Sequence, residues 1–233
     1  MLVVIRHKLF IFLKKIRVKI FPNTSKIKVK QYKYLNYSEY VKIQTFFNKK
    51  KIERIWADQN ILNFIIKDVR ESFPKNEKLS GICHGTRNGY EQKYISDTTG
   101  WAVIGTEISE TADNYPNTLK WDFHVELPQF LHSFNFVYSN SLDHAFDPRL
   151  ALNTWSAQLV EGGKLYVEIS EKHGVSGASL MDPFGVDPEY FSELLGIWFE
   201  GKIQIQIVDI INERLNLSIK LFILKISNIN KVN

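Results

Sequence analysis

The C-terminal part of the chain contains the pattern that most restricts its fold. Two strand-like runs, Lys202–Ile211 and Leu217–Ile226, are separated by only five residues. Two parallel strands need a crossover connection of about a dozen residues or more, so these two runs must pair antiparallel. The sheet must therefore end in an antiparallel hairpin, whatever precedes it.

A regular alternation of strand-like and helix-like segments precedes this hairpin. The apolar runs that indicate strands are Leu79–Cys83, Trp101–Gly105, Phe134–Tyr138 and Lys164–Ile169. The helix-like segments between them are Tyr90–Asp97, Glu110–Asn114 and Arg149–Leu159. This alternation predicts an α/β protein with a doubly wound, Rossmann-like, mostly parallel sheet, helices on both faces and the C-terminal antiparallel hairpin. We expect a sheet of seven strands, of which the six apolar runs account for all but one.

The helix at Arg149–Leu159 has recognisable start and stop signals. Asp147-Pro148 is a favourable start, because aspartate caps a helix and proline suits its first turn. Gly162-Gly163 predicts that the helix closes there, before the next strand begins.

The first 52 residues differ from the rest of the chain in charge. They contain 14 lysines and arginines and a single acid, Glu39, whereas the remainder contains 16 basic and 24 acidic residues. We therefore divide the chain into a basic N-terminal arm, residues 1–52, and an α/β domain, residues 53–233, with a helical lead-in. The spacing of apolar residues predicts helices at 38–48 and 55–71.

The start of the arm, residues 1–21, mixes apolar and basic side chains. No uncharged run approaches the roughly 18 residues of a membrane span, and the apolar core of a signal peptide is missing. This segment either packs on the domain edge with its lysines in solvent or lies as an amphipathic helix on an anionic membrane surface. The single cysteine, Cys83, allows no internal disulfide and favours a cytoplasmic location.

A glycine-containing turn, Gly81–Gly89 (GICHGTRNG), follows the first strand of the alternating region. Glycine lets the backbone approach a ligand closely at the carboxyl end of a sheet. Glu107 ends the next strand, about twenty residues further on, where an acid can accept hydrogen bonds from both ribose hydroxyls. Each feature alone also fits an ordinary turn or a helix cap, but together they favour an adenosine-containing cofactor.

From Lys78 to Ile226 the chain resembles the class I S-adenosylmethionine-dependent methyltransferases. The similar segments are CHGTRNG (Cys83–Gly89, the glycine-rich first motif), GTEIS (Gly105–Ser109, the ribose-binding acid), Trp121–Phe123 (the adenine-binding segment), FNFVYSNSLDH (Phe134–His144, the fourth strand and the loop facing the methyl group) and LVEGGKLYVEI (Leu159–Ile169, the fifth strand). The terminal hairpin is also typical of this family and not of a dehydrogenase.

The resemblance implies S-adenosylmethionine as the cofactor. The residues that it implies for cofactor binding are Cys83, His84, Gly85, Thr86, Glu107, Ile108, Asp122, Phe123, Ser139 and Asn140. The first motif departs from the family pattern, since Gly81 replaces its usual acid, Cys83 its first glycine and Arg87 its last. The amino-acid end of the cofactor is then held differently, by His84 or by backbone groups.

The candidate catalytic residues are Asp143 and His144 after the fourth strand and His173 after the fifth, because all three should project at the carboxyl edge of the sheet. Histidine is suited to proton removal near neutral pH. Alternatively, Asp143 caps the following helix and the histidines are incidental. His124 and His132 fit no metal-binding spacing, so the sequence predicts no metal site.

The acceptor of the methyl group is expected to be a small molecule, a glycan or a lipid-linked compound. Nucleic acid is not favoured, because the family's base-modifying members usually carry an Asn- or Asp-Pro-Pro-aromatic motif after the fourth strand, where this chain has Ser139–Leu142 (SNSL). The glycine- and serine-rich segment Glu171–Gly185 is predicted to contact the substrate, as loops on a rigid sheet often do.

Two other functions remain open at this point. A non-catalytic binding module with a degenerate cofactor site would explain the altered first motif. A nicotinamide-dependent oxidoreductase would share the glycine turn and the acid, but the terminal hairpin and the missing Tyr-x-x-x-Lys pair disfavour it. Cofactor affinity and cofactor identity separate the three hypotheses.

Overall fold

The computed structural model of the protein describes residues 27–226. In this part of the chain the strands are β1 (Val29–Gln31), β2 (Ser80–His84), β3 (Ala102–Glu107), β4 (Thr118–Lys120), β5 (Phe134–Ser139), β6 (Leu159–Ser170), β7 (Phe184–Val186), β8 (Ile203–Asn212) and β9 (Leu217–Ile226). The α-helices are α1 (Tyr37–Lys50), α2 (Gln59–Ser72), α3 (Tyr90–Thr99), α4 (Pro148–Ala157) and α5 (Phe191–Trp198).

Seven of the strands form one sheet in the order β4-β3-β2-β5-β6-β9-β8. The first five are mutually parallel, and β9 pairs antiparallel with both β6 and β8. The strand order reverses between β2 and β5, which is the point where open α/β sheets bind ligands. The predicted fold class, including the terminal hairpin, is confirmed.

The helices cover both faces of the sheet and divide the core into two clusters. On one face, α2 buries Ile61, Ile65 and Val69 at helical spacing, and α3 adds Ile95. On the other face, α4 and α5 bury a second set of apolar side chains, Ala151, Leu152, Trp155, Phe191, Leu194 and Leu195, against β5, β6 and β9. Each fully buried large side chain stabilises the fold by about 1.5–3 kcal/mol.

Several predicted boundaries shift for local reasons. Helix α2 begins at Gln59 and not near residue 55, because the side chain of Asp58 caps it by accepting from Asn60 N–H at 2.9 Å. The prediction that Gly162-Gly163 closes α4 is wrong. The helix ends at Ala157, and both glycines lie inside β6, whose pairing with β5 shifts register near its start.

Residues 27–52, the end of the predicted arm, pack on the α/β domain. Strand β1 pairs antiparallel with β7, which follows the loop after β6. Helix α1 spans the predicted helix at 38–48 and lies over the carboxyl edge of the sheet. In residues 27–226, no helix is both long and apolar enough to cross a bilayer. Residues 1–21, for which the sequence left open packing on the domain edge or binding to a membrane surface, lie outside the described residues.

Candidate functional site

Two adjoining cavities lie at the carboxyl ends of β2, β3 and β5. The first, of about 50 Å³, is lined by Tyr40, Gln44, Phe47, Asn48, Lys51, Gly85, Arg87, Glu107, Ile108, Asp122, Phe123, Ser141 and His144. The second, of about 190 Å³, is lined by Lys51, Arg54, Ile55, Trp56, Gly85, Thr86, Arg87, Asn88, Glu91, Asn140, Ser141, Asp143, His144, Lys172, His173, Met181 and Asp182. Gly85 contributes to both, so the glycine turn separates the two.

The glycine turn is held against the neighbouring strand. The backbone N–H groups of Gly85 and Thr86 both donate to the carbonyl of Thr106, at 2.9 and 3.1 Å. Gly85 has φ +72°, and a Cβ at this position would lie 2.7 Å from Cβ of Ser141. Only glycine therefore fits this position without strain, because the loop after β5 packs directly against the turn.

Glu107 ends β3 and lines the first cavity, as predicted. Its carboxylate accepts the backbone N–H of Arg87 in the glycine turn and that of Ser109, each at 3.1 Å. Burial raises the pKa of the carboxyl group, and these two hydrogen bonds oppose the shift. Since each carboxylate oxygen can accept more than one hydrogen bond, Glu107 retains acceptor capacity for a ligand.

Asp122 and Phe123 of the predicted adenine-binding segment, and Ile108, which was predicted for cofactor binding, also line the first cavity. Asp122 is engaged on both oxygens. Oδ1 accepts the backbone N–H of His124 at 3.0 Å and the ring Nδ1–H of the same residue at 2.8 Å. Oδ2 accepts the hydroxyl of Tyr37 in α1. Nε2 of His124 in turn accepts the backbone N–H of Phe146 at 3.1 Å. His124 is therefore a structural link between two loops.

Three of the residues implied for cofactor binding turn their side chains away from both cavities. Cys83 is buried in the core beneath α2 and α3, and burial raises the pKa of its thiol. Both ring nitrogens of His84 are engaged, at 2.8 Å from Thr106 Oγ1 and 2.8 Å from Gln158 Oε1. With both nitrogens engaged, the His84 side chain has no free nitrogen for the amino-acid end of the cofactor, which leaves the backbone groups, the other alternative that the sequence offered.

His84 also stacks on Trp155, and burial lowers the pKa of its imidazole to about 4, so the ring is neutral. The third such residue is Ser139, which is fully buried; its hydroxyl donates to the carbonyl of His84 at 3.1 Å and accepts the N–H of Ser141. Ser139 thus positions the loop after β5, and does not line either cavity.

The second cavity contains buried polar groups without hydrogen-bond partners. Thr86 and Asn140, both predicted, line it together with Glu91 from the first turn of α3. The side-chain amide of Asn140 donates to Oε1 of Glu91 at 3.2 Å, whereas Oε2 of Glu91 and Oγ1 of Thr86 have no partner among the described residues. Burial raises the pKa of Glu91 to about 7. Buried polar atoms without partners are costly, so these atoms suit a polar ligand.

The three candidate catalytic residues do meet at the second cavity. Nε2 of His144 lies 4.0 Å from Oδ1 of Asp143, and Nε2 of His173 lies 3.9 Å from Oδ2 of Asp143. Asp182, from the loop after β6, approaches His144 Nδ1 to 3.5 Å. Burial is the main cause that lowers the pKa of His173. The predicted contribution of the segment Glu171–Gly185 is consistent with Lys172, His173, Met181 and Asp182 in the cavity wall.

Helix α1 covers the first cavity, and none of its residues was among the predicted site residues. Its inward residues Tyr40, Gln44, Phe47 and Asn48 form one wall. The helix is fastened by hydrogen bonds from Gln44 Nε2 to Met181 O at 2.9 Å and from Thr111 Oγ1 to Asn48 Oδ1 at 2.7 Å. The only sequence signal was the helix itself, since nothing in its pattern indicates which edge of the sheet it covers.

The strand order and the terminal hairpin are those of the class I S-adenosylmethionine-dependent methyltransferase fold, and the two cavities lie at its switch point. The predicted resemblance is confirmed at the level of the fold by solved structures. No protein-family model matches the sequence, and no curated protein matches it.

Two similar structures are methyltransferases solved with S-adenosylhomocysteine. The 1,6-didemethyltoxoflavin-N1-methyltransferase of Burkholderia thailandensis is 11% identical with a TM-score of 0.62, over 90% of this chain and 100% of the other. The plantazolicin methyltransferase BpumL is 14% identical with a TM-score of 0.61, over 81% and 96% of the two chains. The CurJ carbon methyltransferase is 14% identical with a TM-score of 0.56; the match covers 73% of this chain and spans about half, 54%, of that longer one.

Proposed function

We propose that the protein is an S-adenosylmethionine-dependent methyltransferase that acts on a small-molecule, glycan or lipid-linked acceptor. The observation that carries this proposal is the buried carboxylate of Glu107 across the glycine turn, with acceptor capacity directed at the first cavity. The similar structures with bound S-adenosylhomocysteine support the cofactor.

In this proposal, Glu107 accepts hydrogen bonds from the ribose hydroxyls, and Ile108 and Phe123 contact the adenine. Glu91, Thr86 and Asn140 in the second cavity hold the amino-acid end. Glu91 is suited to an ammonium group because its second carboxylate oxygen has no partner. It replaces the acid that the first motif lacks at Gly81, where the ring of Phe136 fills the space.

The cofactor pocket has to open for this role. The two cavities are together smaller than ligand pockets of about 300–1,000 Å³. Helix α1 is the part of the wall that lies outside the sheet and its loops, so its outward movement provides the room. In that movement Tyr37 releases Asp122, whose freed oxygen becomes available to the adenine amino group.

Methyl transfer needs alignment of the acceptor and, for a hydroxyl acceptor, loss of its proton. When bound, the cofactor supplies an electrophilic methyl group whose bond to sulfur breaks, with the electron pair retained by sulfur, as the acceptor lone pair bonds to carbon. Asp143, His144 and His173 line the cavity on the acceptor side and are the proposed recipients of the proton. Helix α1, which covers the first cavity, excludes water from the site.

The terminal hairpin favours this function over a nicotinamide-dependent oxidoreductase. A cytoplasmic location with membrane-surface contact through the basic arm is part of the proposal, supported by the charge of residues 1–52. Nucleic acid is not proposed as an acceptor, because the chain has Ser139–Leu142 where the base-modifying motif would stand.

The experiment is isothermal titration of the full chain with S-adenosylmethionine, S-adenosylhomocysteine and NAD. We expect micromolar binding of the first two and none of NAD. Glu107→Ala should weaken binding at least tenfold, about 1.4 kcal/mol, because the ribose hydrogen bonds are lost. Glu126→Ala removes an exposed acid from a nearby loop and serves as the matched control.

Three results would contradict the proposal. A folded protein that binds neither methyl-cycle ligand is a binding module that has lost its cofactor site. A protein that binds NAD alone is an oxidoreductase candidate. Equal affinity of wild type and a folded Glu107→Ala variant would remove the residue on which the proposed pocket depends.

A further inference from the structure

Three potential metal ligands converge beside the second cavity. Asp143 and His144 belong to the short 3₁₀ turn after β5, and Asp182 belongs to the loop after β6. One ligand atom from each residue lies within 4.8 Å of the other two. The side chains are 10%, 22% and 23% exposed, respectively, so the group is at the inner wall and remains reachable from the cavity.

The buried carboxylate of Asp143 lacks a partner. Its Oδ1 has no hydrogen bond to any described residue, and the nearest imidazole nitrogen, His144 Nε2, is 4.0 Å away. Its Oδ2 is 3.9 Å from His173 Nε2, also beyond hydrogen-bond distance. A buried carboxylate oxygen without a donor is unfavourable, and a bound cation is one of the few arrangements that satisfies it.

The orientation of His144 suits coordination through Nε2. Its Nδ1 lies 3.2 Å from the carbonyl oxygen of Met181, which can accept only a proton carried on that nitrogen. With the proton on Nδ1, the lone pair is on Nε2, the nitrogen that faces Asp143. Metal-binding histidines usually donate their other ring N–H to a carbonyl or a carboxylate in this way.

Among the cationic residues that line this cavity, Lys51, Arg54, Arg87 and Lys172, Lys51 is the one whose pKa is influenced by both aspartates. It lines the same cavity, and its pKa is lowered chiefly by burial, although Asp182 and Asp143 act in the opposite direction. Within residues 27–226 it forms no ion pair with either aspartate inside 4.0 Å. Apart from His144 and His173, the two carboxylates therefore have no ion-pair partner within 4.0 Å among the described residues.

We propose that Asp143, His144 and Asp182 bind a divalent first-row transition metal, such as Mn²⁺ or Zn²⁺. Two carboxylates and one imidazole suit these ions better than Ca²⁺ or Mg²⁺, which prefer oxygen ligands alone. Three protein ligands leave coordination positions open toward the cavity, as in catalytic metal sites.

The metal site also suggests the kind of acceptor, and this extension rests on the proposed function. An open coordination position beside the transfer site binds an acceptor oxygen, such as a hydroxyl or carboxylate group. The ion lowers the pKa of a bound hydroxyl, whose proton passes to His173, the one proposed recipient that is not a metal ligand, and the remaining oxygen lone pair attacks the methyl carbon. Asp143 and His144 then act on the acceptor through the ion.

Metal binding can be measured without knowing the substrate. The full chain, freed of any histidine tag and treated with chelator, is titrated with Mn²⁺ alone while the electron paramagnetic resonance signal of free Mn²⁺ is recorded. A competition titration with Zn²⁺ follows. Asp182→Asn and His144→Gln change partly exposed ligands with little change in shape, and Asp113→Asn changes an exposed aspartate remote from the cluster. Circular dichroism establishes that each variant is folded.

We expect one Mn²⁺ per chain with micromolar affinity, displacement by Zn²⁺, and a loss of about tenfold or more in each folded ligand variant but not in Asp113→Asn. Absence of binding to the wild type would overturn the proposal, as would equal affinity in either folded ligand variant. S-adenosylhomocysteine titration of the same samples separates the two proposals, since the proposed function fails only if that ligand does not bind.

Discussion

Replacing the buried acid Glu168 by glutamine should make the protein more stable at alkaline pH. Glu168 lies in β6 and is 1% exposed. Its Oε1 accepts the hydroxyl of Tyr138, and the indole N–H of Trp56 also lies close enough to favour the charged form. Burial, reinforced by the neighbouring charge of Glu91, raises its pKa from 4.5 to about 8. The group is therefore protonated in the folded protein near neutral pH.

The direction of the pH dependence follows from the number of protons that the folded and the unfolded states bind. Above pH 4.5 the unfolded chain loses the Glu168 proton while the folded protein keeps it, so the free energy of unfolding falls as pH rises, until the folded group also ionises near pH 8. A pKa shift of this size lowers the free energy of unfolding by about 5 kcal/mol between pH 4.5 and about pH 8. Glu91, with its pKa raised to about 7, contributes in the same direction.

The assay is urea unfolding of wild type and Glu168→Gln at several pH values between about 5 and 8.5. Glutamine keeps the shape and can still accept from Tyr138, so the two proteins should have similar stability at the acid end. At the alkaline end the variant should be more stable by several kcal/mol, while Glu91 and His84, with pKa values of about 7 and about 4 in the folded protein, give both proteins the same remaining pH dependence. Parallel stability profiles for the two proteins would refute the reasoning, because they would show that Glu168 is already ionised in the fold.

Two further predictions concern the site. Gly85→Ala should destabilise the protein more than Gly100→Ala, because both glycines have positive φ but only at Gly85 would the new Cβ meet Ser141. Thermal unfolding of the two variants measures the difference. Equal losses of stability would mean that the turn at Gly85 can accommodate a Cβ. Tyr37→Phe removes the hydroxyl that bonds Asp122 and should speed S-adenosylhomocysteine dissociation in stopped-flow fluorescence. An unchanged rate would show that α1 is not the barrier to release.

The main sheet could be predicted from sequence because its strands are long, apolar and separated by helices. Strand β4, Thr118–Lys120, was not identified, since it has three residues and stands at an exposed edge. Helix α5 was also missed, because its apolar residues follow a long loop without a start signal. The length of the connection alone was sufficient to determine the antiparallel pairing of β8 and β9.

The candidate site could be predicted only where the chain itself sets the geometry. Glu107 and Gly85 lie at strand ends, so their positions follow from the topology. Cys83 and His84 are consecutive in a strand and must point to opposite faces, which shows that they could not both reach one ligand with their side chains. Glu91 was missed, because an acid in the first turn of a helix usually has an ordinary role at the helix terminus.

The pairing of β1 with β7 also sets an order of assembly. Val29 and Val186 are partners although they are 157 positions apart along the chain. During synthesis β1 is therefore made early, but the strand that pairs with it does not exist until β2 to β6 have been produced. The carbonyl of Met181, which accepts the hydrogen bond from Gln44 in α1, also comes only after β6. Until then the edge of β1 is unpaired, and unpaired strand edges promote aggregation of nascent chains. This early segment is thus among the last to be fixed in place.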